Sequence, residues 1–244
     1  MVTEILKGLG YNNNICIIVL TYNNVNVSQL FFKKLFETDK DFSLVIIDNG
    51  SSDSTPDYLR SFHRKNTIIG LSDCNMGVIE GRNTGYLLAD KHLDFKYVLF
   101  LDNDQIVSGE WLEQYLRLIS DYDAVGIDAW SMAPSMRPVR SVTKVGDEYA
   151  YVGAGGLMIK REVFADIGMF DNRYSPMYFE DPDLCFSLSE KGYKYTCIRN
   201  SEISHIGHQT IGKLNIEERR SNFKKSYKKF CKKWNNFIFP IFTL

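Results

Sequence analysis

Short apolar runs alternate with segments of helical periodicity along the first 120 residues. Runs of branched and aromatic side chains at 15–20, 44–47, 67–71 and 97–101 predict buried strands. Between and after them, apolar positions recur at helical spacing in 25–38, 55–62, 78–93 and 111–119. This alternation predicts an α/β fold with a mostly parallel sheet, flanked by helices that form right-handed crossovers.

The second half of the chain has a less regular pattern. Residues 130–149 are rich in Pro, Ser, Met and Arg and predict a connection or flexible loop. An apolar run at 157–159 precedes a helix from Arg161, a further helix covers 178–191, and a strand is expected at 195–198. From Phe223 onward, apolar residues and lysines at helical spacing predict a basic amphipathic helix.

Charge is unevenly distributed along the chain. The net charge is −1, but residues 213–244 contain nine Lys or Arg against two Glu, so the remainder carries about −8. An acidic body argues against nucleic acid as a partner. Three alternatives stay open for the basic helix: peripheral contact with an anionic membrane, packing against the rest of the protein, or an interface with another domain.

The number and spacing of the cysteines indicate in which cellular compartment the protein resides. There are five of them, an odd number with no C-x-x-C pair, which argues against a disulfide framework or a zinc site. No apolar stretch approaches the ~20 residues of a membrane span, and the first residues do not read as a secretory signal. We therefore expect a cytoplasmic protein, with peripheral contact at the inner face of the cell membrane as an extension of that expectation.

Polar clusters follow three of the predicted strands: Thr21-Tyr22-Asn23, Asp48-Asn49 and Asp102-Asn103-Asp104. The carboxyl ends of parallel strands lie at one edge of a sheet, where α/β proteins bind their ligands. Carboxylate oxygens there suit a divalent ion shared with substrate phosphates. The alternative for each cluster taken singly is a surface turn, but three clusters at one edge favour a binding crevice.

A series of motifs in fixed order resembles the inverting glycosyltransferases of family 2, which have the GT-A fold. The resemblance covers about residues 15 to 210. It is carried by 17–23 (IIVLTYN), 45–55 (VIIDNGSSDST), 75–77 (NMG), 81–85 (GRNTG), 100–104 (FLDND), 155–164 (GGLMIKREVF), 179–185 (FEDPDLC) and His205.

The resemblance implies transfer of a hexosyl or N-acetylhexosaminyl group from a nucleoside-diphosphate sugar to an acceptor hydroxyl on a glycan, a lipid-linked saccharide or a protein. It also implies a single GT-A catalytic domain over 1–212, with a nucleotide-binding half at about 15–104 and an acceptor half at 105–212, followed by the helical extension 213–244. A sugar-phosphate nucleotidyltransferase and a non-catalytic nucleotide- or glycan-binding protein are the alternatives.

The same resemblance assigns the donor site. The implied nucleotide-sugar-binding residues are Thr21, Tyr22, Asn23, Asp48, Asn49, Asn75, Gly77, Arg82, Asn83, Asp102, Asn103, Gly155 and Gly156. Asp48 would accept hydrogen bonds from the base or ribose, or alternatively fix its own turn. Relatives commonly carry a second acidic residue where this chain has Asn49. Arg82 would reach the diphosphate, or alternatively lie solvated on a helix face.

The metal and the base complete the expected site. Asp104, with Asp102 and His205, would hold Mn²⁺ or Mg²⁺, and an imidazole ligand would favour Mn²⁺; His208 is the alternative histidine. Asp181 would act as general base on the acceptor hydroxyl, with Glu180 orienting the acceptor or the loop. Capping of the helix N-terminus is the structural alternative for both acids.

Overall fold

The structure is a computed structural model that describes residues 1–10, 12–142, 150–206 and 215–235. Its strands are β1 (Val2–Lys7), β2 (Ile15–Thr21), β3 (Ser43–Asp48), β4 (Thr67–Ser72), β5 (Tyr97–Asp102), β6 (Gln105–Val107), β7 (Ala124–Gly126), β8 (Ala129–Met132), β9 (Pro138–Val142), β10 (Ala150–Val152), β11 (Leu157–Lys160), β12 (Tyr195–Cys197) and β13 (Ile203–His205). The helices are α1 (Val25–Leu35), α2 (Thr55–Arg60), α3 (Val78–His92), α4 (Trp111–Leu118), α5 (Arg161–Asp166), α6 (Glu180–Glu190) and α7 (Ile216–Trp234), with a short 3₁₀ turn at Asn172–Tyr174.

An eight-stranded sheet of order β1-β4-β3-β2-β5-β11-β7-β12 organises the chain. Strands β4, β3, β2 and β5 are parallel, and β1 and β11 run antiparallel to their neighbours. The register places Thr21 beside Asp48 and Leu20 beside Asp102, so the polar strand ends lie at one edge. The expected α/β fold with a mostly parallel, helix-flanked sheet is confirmed.

Alternate side chains of the central strands pack on opposite faces of the sheet. One face, with Ile18 of β2 and Phe100 of β5, packs against α3, α5, α6 and α7. The other face, with Ile17 and Leu99, packs against α1, α2 and α4. Since both faces are covered, the central strands are continuous apolar runs, which is why they were predictable from the sequence.

The stretch expected to be a loop at 130–149 contains strands in its described part. β8, β9 and β10 form a three-stranded antiparallel sheet of order β10-β8-β9. The expectation of a loop was wrong because β9 is mostly exposed and lacks an apolar run. β1, which pairs along the edge of β4, was not predicted either, because its sequence VTEILK is largely exposed and has neither a continuous apolar run nor a regular alternation.

The C-terminal helix packs on the body of the protein. Ser226, Phe230 and Trp234 of α7 are buried, and the Phe230 ring lies 4.9 Å from that of Phe186 in α6. Lysines on the opposite side of α7, among them Lys224 and Lys228, are exposed. Packing on the body is therefore the alternative that the described residues 215–235 adopt. Of the helices in the described ranges, none combines the length and apolarity needed to cross a bilayer.

Candidate active site

A pocket of about 880 Å³ opens at the carboxyl edge of the parallel strands. Many of the predicted site residues line it: Thr21, Tyr22, Asn23, Asn49, Asn75, Gly77, Arg82, Asp102, Asn103, Asp104, Gly155, Glu180, Asp181 and His205. They come from four strand ends, the starts of α3 and α6, and β13. The structure therefore brings these residues together, whereas Asp48, Asn83 and Gly156 do not line the pocket.

Asp48 is occupied by its own turn. Its carboxylate, 1% exposed, accepts hydrogen bonds from the Ser51 backbone amide (3.1 Å), the Ser51 hydroxyl (2.5 Å) and the Thr21 hydroxyl (3.4 Å). Burial raises the pKa of Asp48, and the hydrogen bonds from Ser51 oppose that shift. The turn-forming alternative thus describes the observed contacts of Asp48, and the expected contact with a base or ribose stays a prediction.

Asn49 fixes the neighbouring loop through its side-chain amide. Its Oδ1 accepts a hydrogen bond from the Met76 backbone amide (2.8 Å), and its Nδ2 donates to Asn75 Oδ1 (3.1 Å) and to the Gly77 carbonyl (3.2 Å). Asn75 Oδ1 also accepts from the Gly77 amide at 2.8 Å. Gly77 has φ +84°, which favours glycine, and it immediately precedes α3. Asn49 therefore shapes the part of the pocket lined by Asn75–Gly77.

The Asn83 side chain does not line the pocket, and its hydrogen bonds hold a neighbouring segment of the chain in place. Its amide donates to the Phe170 carbonyl (2.8 Å) and to Asn172 Oδ1 (3.2 Å), and it accepts from the Phe170 amide (3.1 Å). Both polar groups of this buried side chain are therefore used to hold the segment before the 3₁₀ turn. Gly156 contributes backbone only, since its carbonyl accepts a hydrogen bond from the Tyr115 hydroxyl at 2.6 Å. For both residues the described contacts are within the protein, and their expected role in donor binding stays a prediction.

Arg82 and Asp102 form an ion pair inside the pocket. Arg82 Nη2 lies 2.7 Å from Asp102 Oδ1, and Arg82 is only 6% exposed. A Cβ atom on Gly155 would stand 2.4 Å from Asp102 Oδ2, so the glycine leaves the room that this carboxylate occupies. Arg82 is thus not a solvated surface arginine. Its charge is already paired with the first acid of the Asp102-Asn103-Asp104 sequence.

Asp104 and His205 face each other across the short β6–β13 pair. His205 Nδ1 lies 3.6 Å from Asp104 Oδ1, and Gln105 Nε2 lies 3.0 Å from His205 Nε2. The neighbouring Asp104 carboxylate raises the pKa of His205. In the described ranges no group of three or more His, Cys, Asp or Glu is arranged to hold a metal. The pair supplies one hard oxygen and one imidazole nitrogen, a donor set that suits Mn²⁺. His208 lies outside the described residues.

Glu180 and Asp181 open α6 after an unusual stretch of backbone. Tyr178 and Phe179 have φ values of 74° and 70°, a left-handed conformation that costs non-glycine residues about 1–3 kcal/mol each. Glu180 Oε2 and Asp181 Oδ1 are shielded from solvent and accept no hydrogen bond from the part of the chain that the structure describes. No side chain caps this helix by a hydrogen bond. Both acids lie in the first turn of α6, where negative charge favours the helix N-terminus, and each also has an oxygen without a partner in the described part of the chain.

The two carboxylates influence each other's protonation. Burial is the main cause that raises the pKa of each, and the neighbouring Asp181 charge raises that of Glu180 further. Arg82 and a hydrogen bond from the Ala154 backbone oppose the shift of Asp181. A carboxylate with a raised pKa and an unpartnered oxygen in a pocket is suited to accept a proton.

Several lining residues were not predicted from the sequence. Tyr151 of β10, Tyr178 and Phe179 before α6, and Glu218 and Phe223 of α7 also contribute to the pocket. Phe179 belongs to the motif at 179–185 and Phe223 to the amphipathic pattern of the last helix, but neither pattern indicates that these side chains line the pocket. Their position depends on how α7 and the three-stranded sheet pack on the body.

Comparisons with known proteins agree with this geometry. Residues 16–164 match the model of glycosyl transferase family 2. Glycosyltransferase GlyA of Streptococcus pneumoniae serotype 4 is 25% identical over 115 residues, which are 46% of this chain and 16% of GlyA. An uncharacterized glycosyltransferase of Rickettsia felis is 26% identical over 125 residues, 47% of this chain and 19% of that protein. The chain thus matches less than a fifth of the length of these curated relatives.

Among solved structures, the mannosyltransferase PcManGT from Pyrobaculum calidifontis, in complex with GDP-Man and Mn²⁺, superposes with a TM-score of 0.69 at 16% identity. The match covers 97% of this chain and 68% of PcManGT. GalNAc-T7 with UDP, GalNAc and Mn²⁺ superposes with a TM-score of 0.70, also at 16% identity, over 92% of this chain and 48% of that chain. At this level of identity the likeness shows a shared GT-A fold.

Proposed function

The chain belongs to glycosyltransferase family 2, and from that premise we propose that it transfers one sugar from a nucleoside-diphosphate sugar to an acceptor hydroxyl with inversion. The observation that carries the proposal is the unpartnered Oδ1 atom of Asp181 in the same pocket as Asp102, Asp104 and His205. Family membership favours glycosyl transfer over the nucleotidyltransferase alternative. A protein that only bound a glycan would not need a shielded proton acceptor.

Asp181 is the proposed general base. The acceptor oxygen attacks the anomeric carbon while its proton passes to Asp181 Oδ1, and the bond from that carbon to the phosphate oxygen breaks. The electron pair of the broken bond leaves with the nucleoside diphosphate. Because attack and departure occur on opposite faces of the sugar, one displacement inverts the anomeric centre. A positioned base of this kind contributes about 10²–10⁴-fold to a rate.

The donor end of the pocket must accommodate a diphosphate beside carboxylates. Asp104 and His205 would hold Mn²⁺ or Mg²⁺, and PcManGT and GalNAc-T7 both bind Mn²⁺ together with their nucleotide ligands. A divalent ion bound there supplies Lewis-acid stabilisation of the departing diphosphate, worth several kcal/mol. Asp102 is turned to Arg82 instead, which supports Asp104 as the main carboxylate ligand.

The test is a comparison of Asp181→Asn with the unchanged chain. Nucleoside diphosphate release is measured with a panel of nucleotide sugars and acceptor glycosides in the presence of Mn²⁺ or Mg²⁺. We expect kcat to fall at least about 100-fold, while calorimetric binding of the nucleoside diphosphate is retained. Glu190→Gln, an exposed change in the last turn of the same helix, serves as control. Unchanged turnover by Asp181→Asn would exclude Asp181 as the base.

A further inference from the structure

The side of the pocket around Asp181 is walled by aromatic side chains. This aromatic wall consists of Tyr151, Tyr178, Phe179 and Phe223. The Phe223 ring centroid lies 5.7 Å from that of Tyr178 and 5.2 Å from that of Phe179. Phe179 is buried, whereas Tyr151, Tyr178 and Phe223 are partly exposed. The wall therefore presents ring surface to the pocket, and α7 supplies part of it.

The aromatic wall lies next to Asp181, the proposed base. Its residues come from other elements than Asp104 and His205, the proposed metal ligands. Tyr178 and Phe179 directly precede Glu180 and Asp181, and the Asp181 charge contributes to the raised pKa of Tyr151 after burial. Asp104 instead immediately precedes β6, and His205 is the last residue of β13, which pairs with β6 in a separate two-stranded sheet. A group bound against the wall is thus placed beside the atom that takes a proton, where an acceptor must bind.

Charge restricts what can occupy this part of the pocket. Five carboxylates line the pocket as a whole: Asp102, Asp104, Glu180, Asp181 and Glu218. Among the described lining residues Arg82 is the one Lys or Arg, and it is paired with Asp102. An anionic group at the wall would face the Asp181 and Glu218 carboxylates, and the charge of Arg82 is already shared with Asp102 and Asp181. Like charges in a partly desolvated site repel strongly. A sugar ring is uncharged and rich in hydroxyl donors.

Unsatisfied oxygen atoms point to the same kind of ligand. Glu180 is 8% exposed, and its Oε2 accepts no hydrogen bond within the described part of the chain. A buried polar atom without a partner is costly, at about 1–3 kcal/mol. Sugar hydroxyls can donate to such an oxygen while the apolar face of the ring covers aromatic carbon. The pocket thus combines a wide aromatic surface with a few polar groups, as ligand sites commonly do.

We propose that the aromatic wall and Glu218 form the acceptor subsite, and that its occupant is an uncharged sugar unit. The sugar ring stacks on Tyr178 and Phe223, and Glu218 accepts a hydrogen bond from one of its hydroxyls. This inference rests on the proposed function and names the class of acceptor for it. It gives the N-terminal half of α7 a role in acceptor recognition.

The experiment compares acceptors and then variants. Nucleoside diphosphate release is measured with uncharged p-nitrophenyl hexosides, with sugar phosphates and with a polyprenyl phosphate as acceptors. We expect the uncharged glycosides to accelerate release and the phosphorylated compounds not to do so. Glu218→Gln and Phe223→Leu should raise the KM for the glycoside about tenfold, with the donor KM unchanged.

Glu217→Gln is the matched control, because Glu217 occupies the same first turn of α7, is exposed and does not line the pocket. Phe223→Leu keeps an apolar side chain of similar volume but removes the aromatic face. Because Glu218 is exposed, Glu218→Gln should fold normally, so it tests the subsite even if Phe223→Leu unfolds. Acceleration by phosphorylated acceptors alone would overturn the inference, as would equal effects of Glu217→Gln and Glu218→Gln.

The proposed function is judged by separate measurements. Slow hydrolysis of the nucleotide sugar and calorimetric binding of nucleoside diphosphate with Mn²⁺ require no acceptor. If both are absent, the proposed function fails. If both are present and uncharged glycosides do not accelerate release, the acceptor subsite alone is wrong.

Discussion

Asn49→Asp is the change that most directly tests the geometry of the donor end. The substitution preserves shape and introduces the acidic residue that relatives commonly carry at this position. In this chain, however, Asn49 Nδ2 donates to Asn75 Oδ1 and to the Gly77 carbonyl at 3.1 and 3.2 Å. A carboxylate would place an acceptor against two acceptors. Turning the Asn75 amide to relieve one conflict would break its hydrogen bond from the Gly77 amide.

The expected size of the effect follows from these lost bonds. A buried polar group left without its partner costs about 1–3 kcal/mol, and about 1.4 kcal/mol corresponds to a tenfold change in an equilibrium constant. Since the displaced residues Asn75–Gly77 line the pocket, donor binding should weaken about tenfold to hundredfold. Turnover at saturating donor should change little, because Asp181 lies on a different element.

The assay measures donor KM and kcat between pH 5 and pH 8. A carboxyl surrounded by acceptor oxygens has a raised pKa and regains one donor when protonated, so the defect of Asn49→Asp should lessen as the pH falls. Asn26→Asp adds the same charge at an exposed position in α1 and is the control. A donor KM for Asn49→Asp equal to that of the unchanged chain at pH 8 would refute the positioning role of Asn49.

Two further changes test the acidic part of the pocket. Burial and the Asp181 charge raise the pKa of Glu180 in the folded protein, whereas the pKa of a Glu in the unfolded chain is ~4.3. The folded state is therefore stabilised by the protonated form of Glu180. This stabilisation is complete below the unfolded pKa and is lost as the pH rises through the folded pKa. Glu180→Gln should therefore have the same free energy of unfolding as the unchanged chain near pH 4 and a higher one at pH 8, by up to about 1.4 kcal/mol for each pKa unit of the shift. Thermal unfolding at the two pH values measures this, and a pH-independent difference would contradict it. Gly155→Ala places a Cβ 2.4 Å from Asp102 Oδ2. Because the Asp102 carboxylate, whose side chain is 31% exposed, would have to turn away from Arg82, the variant should lower turnover with only a small change in Tm. Turnover equal to that of the unchanged chain would show that the pocket adapts.

The sheet and its active edge were predictable because they depend on local pattern. Buried parallel strands need continuous apolar runs, and polar residues directly after them, such as Asp102 and Asp104, must lie at the carboxyl edge. The strands β1 and β9 lacked that signal. They are exposed on at least one face, so their sequences carry little hydrophobic pattern.

The roles of individual site residues were less predictable than their neighbourhood. Arg82 and Asn83 are adjacent in one motif, but successive residues of a helix point about 100° apart. Arg82 therefore faces the pocket, while Asn83 faces the segment at Phe170. Asp48 lies at the expected strand end, but donors from Ser51 and Thr21 occupy its carboxylate. A sequence motif therefore indicates where in the fold a residue lies, but it does not show which neighbouring groups form hydrogen bonds with its side chain.

Asp183, two residues after the proposed base, links the C-terminal helix α7 to α6. Residues two apart on a helix face nearly opposite directions, and Asp183 points away from the pocket toward α7. There it accepts hydrogen bonds from the Tyr174 hydroxyl (2.8 Å) and Trp234 Nε1 (2.7 Å) and pairs with Lys233 Nζ (2.8 Å). One turn of α6 thus presents an acid to the pocket and binds the helix that carries Phe223 and Glu218. The packing of α7 and the shape of the acceptor side are therefore coupled through α6, which explains why this basic helix is part of the enzyme's structure whether or not its exposed lysines meet a partner.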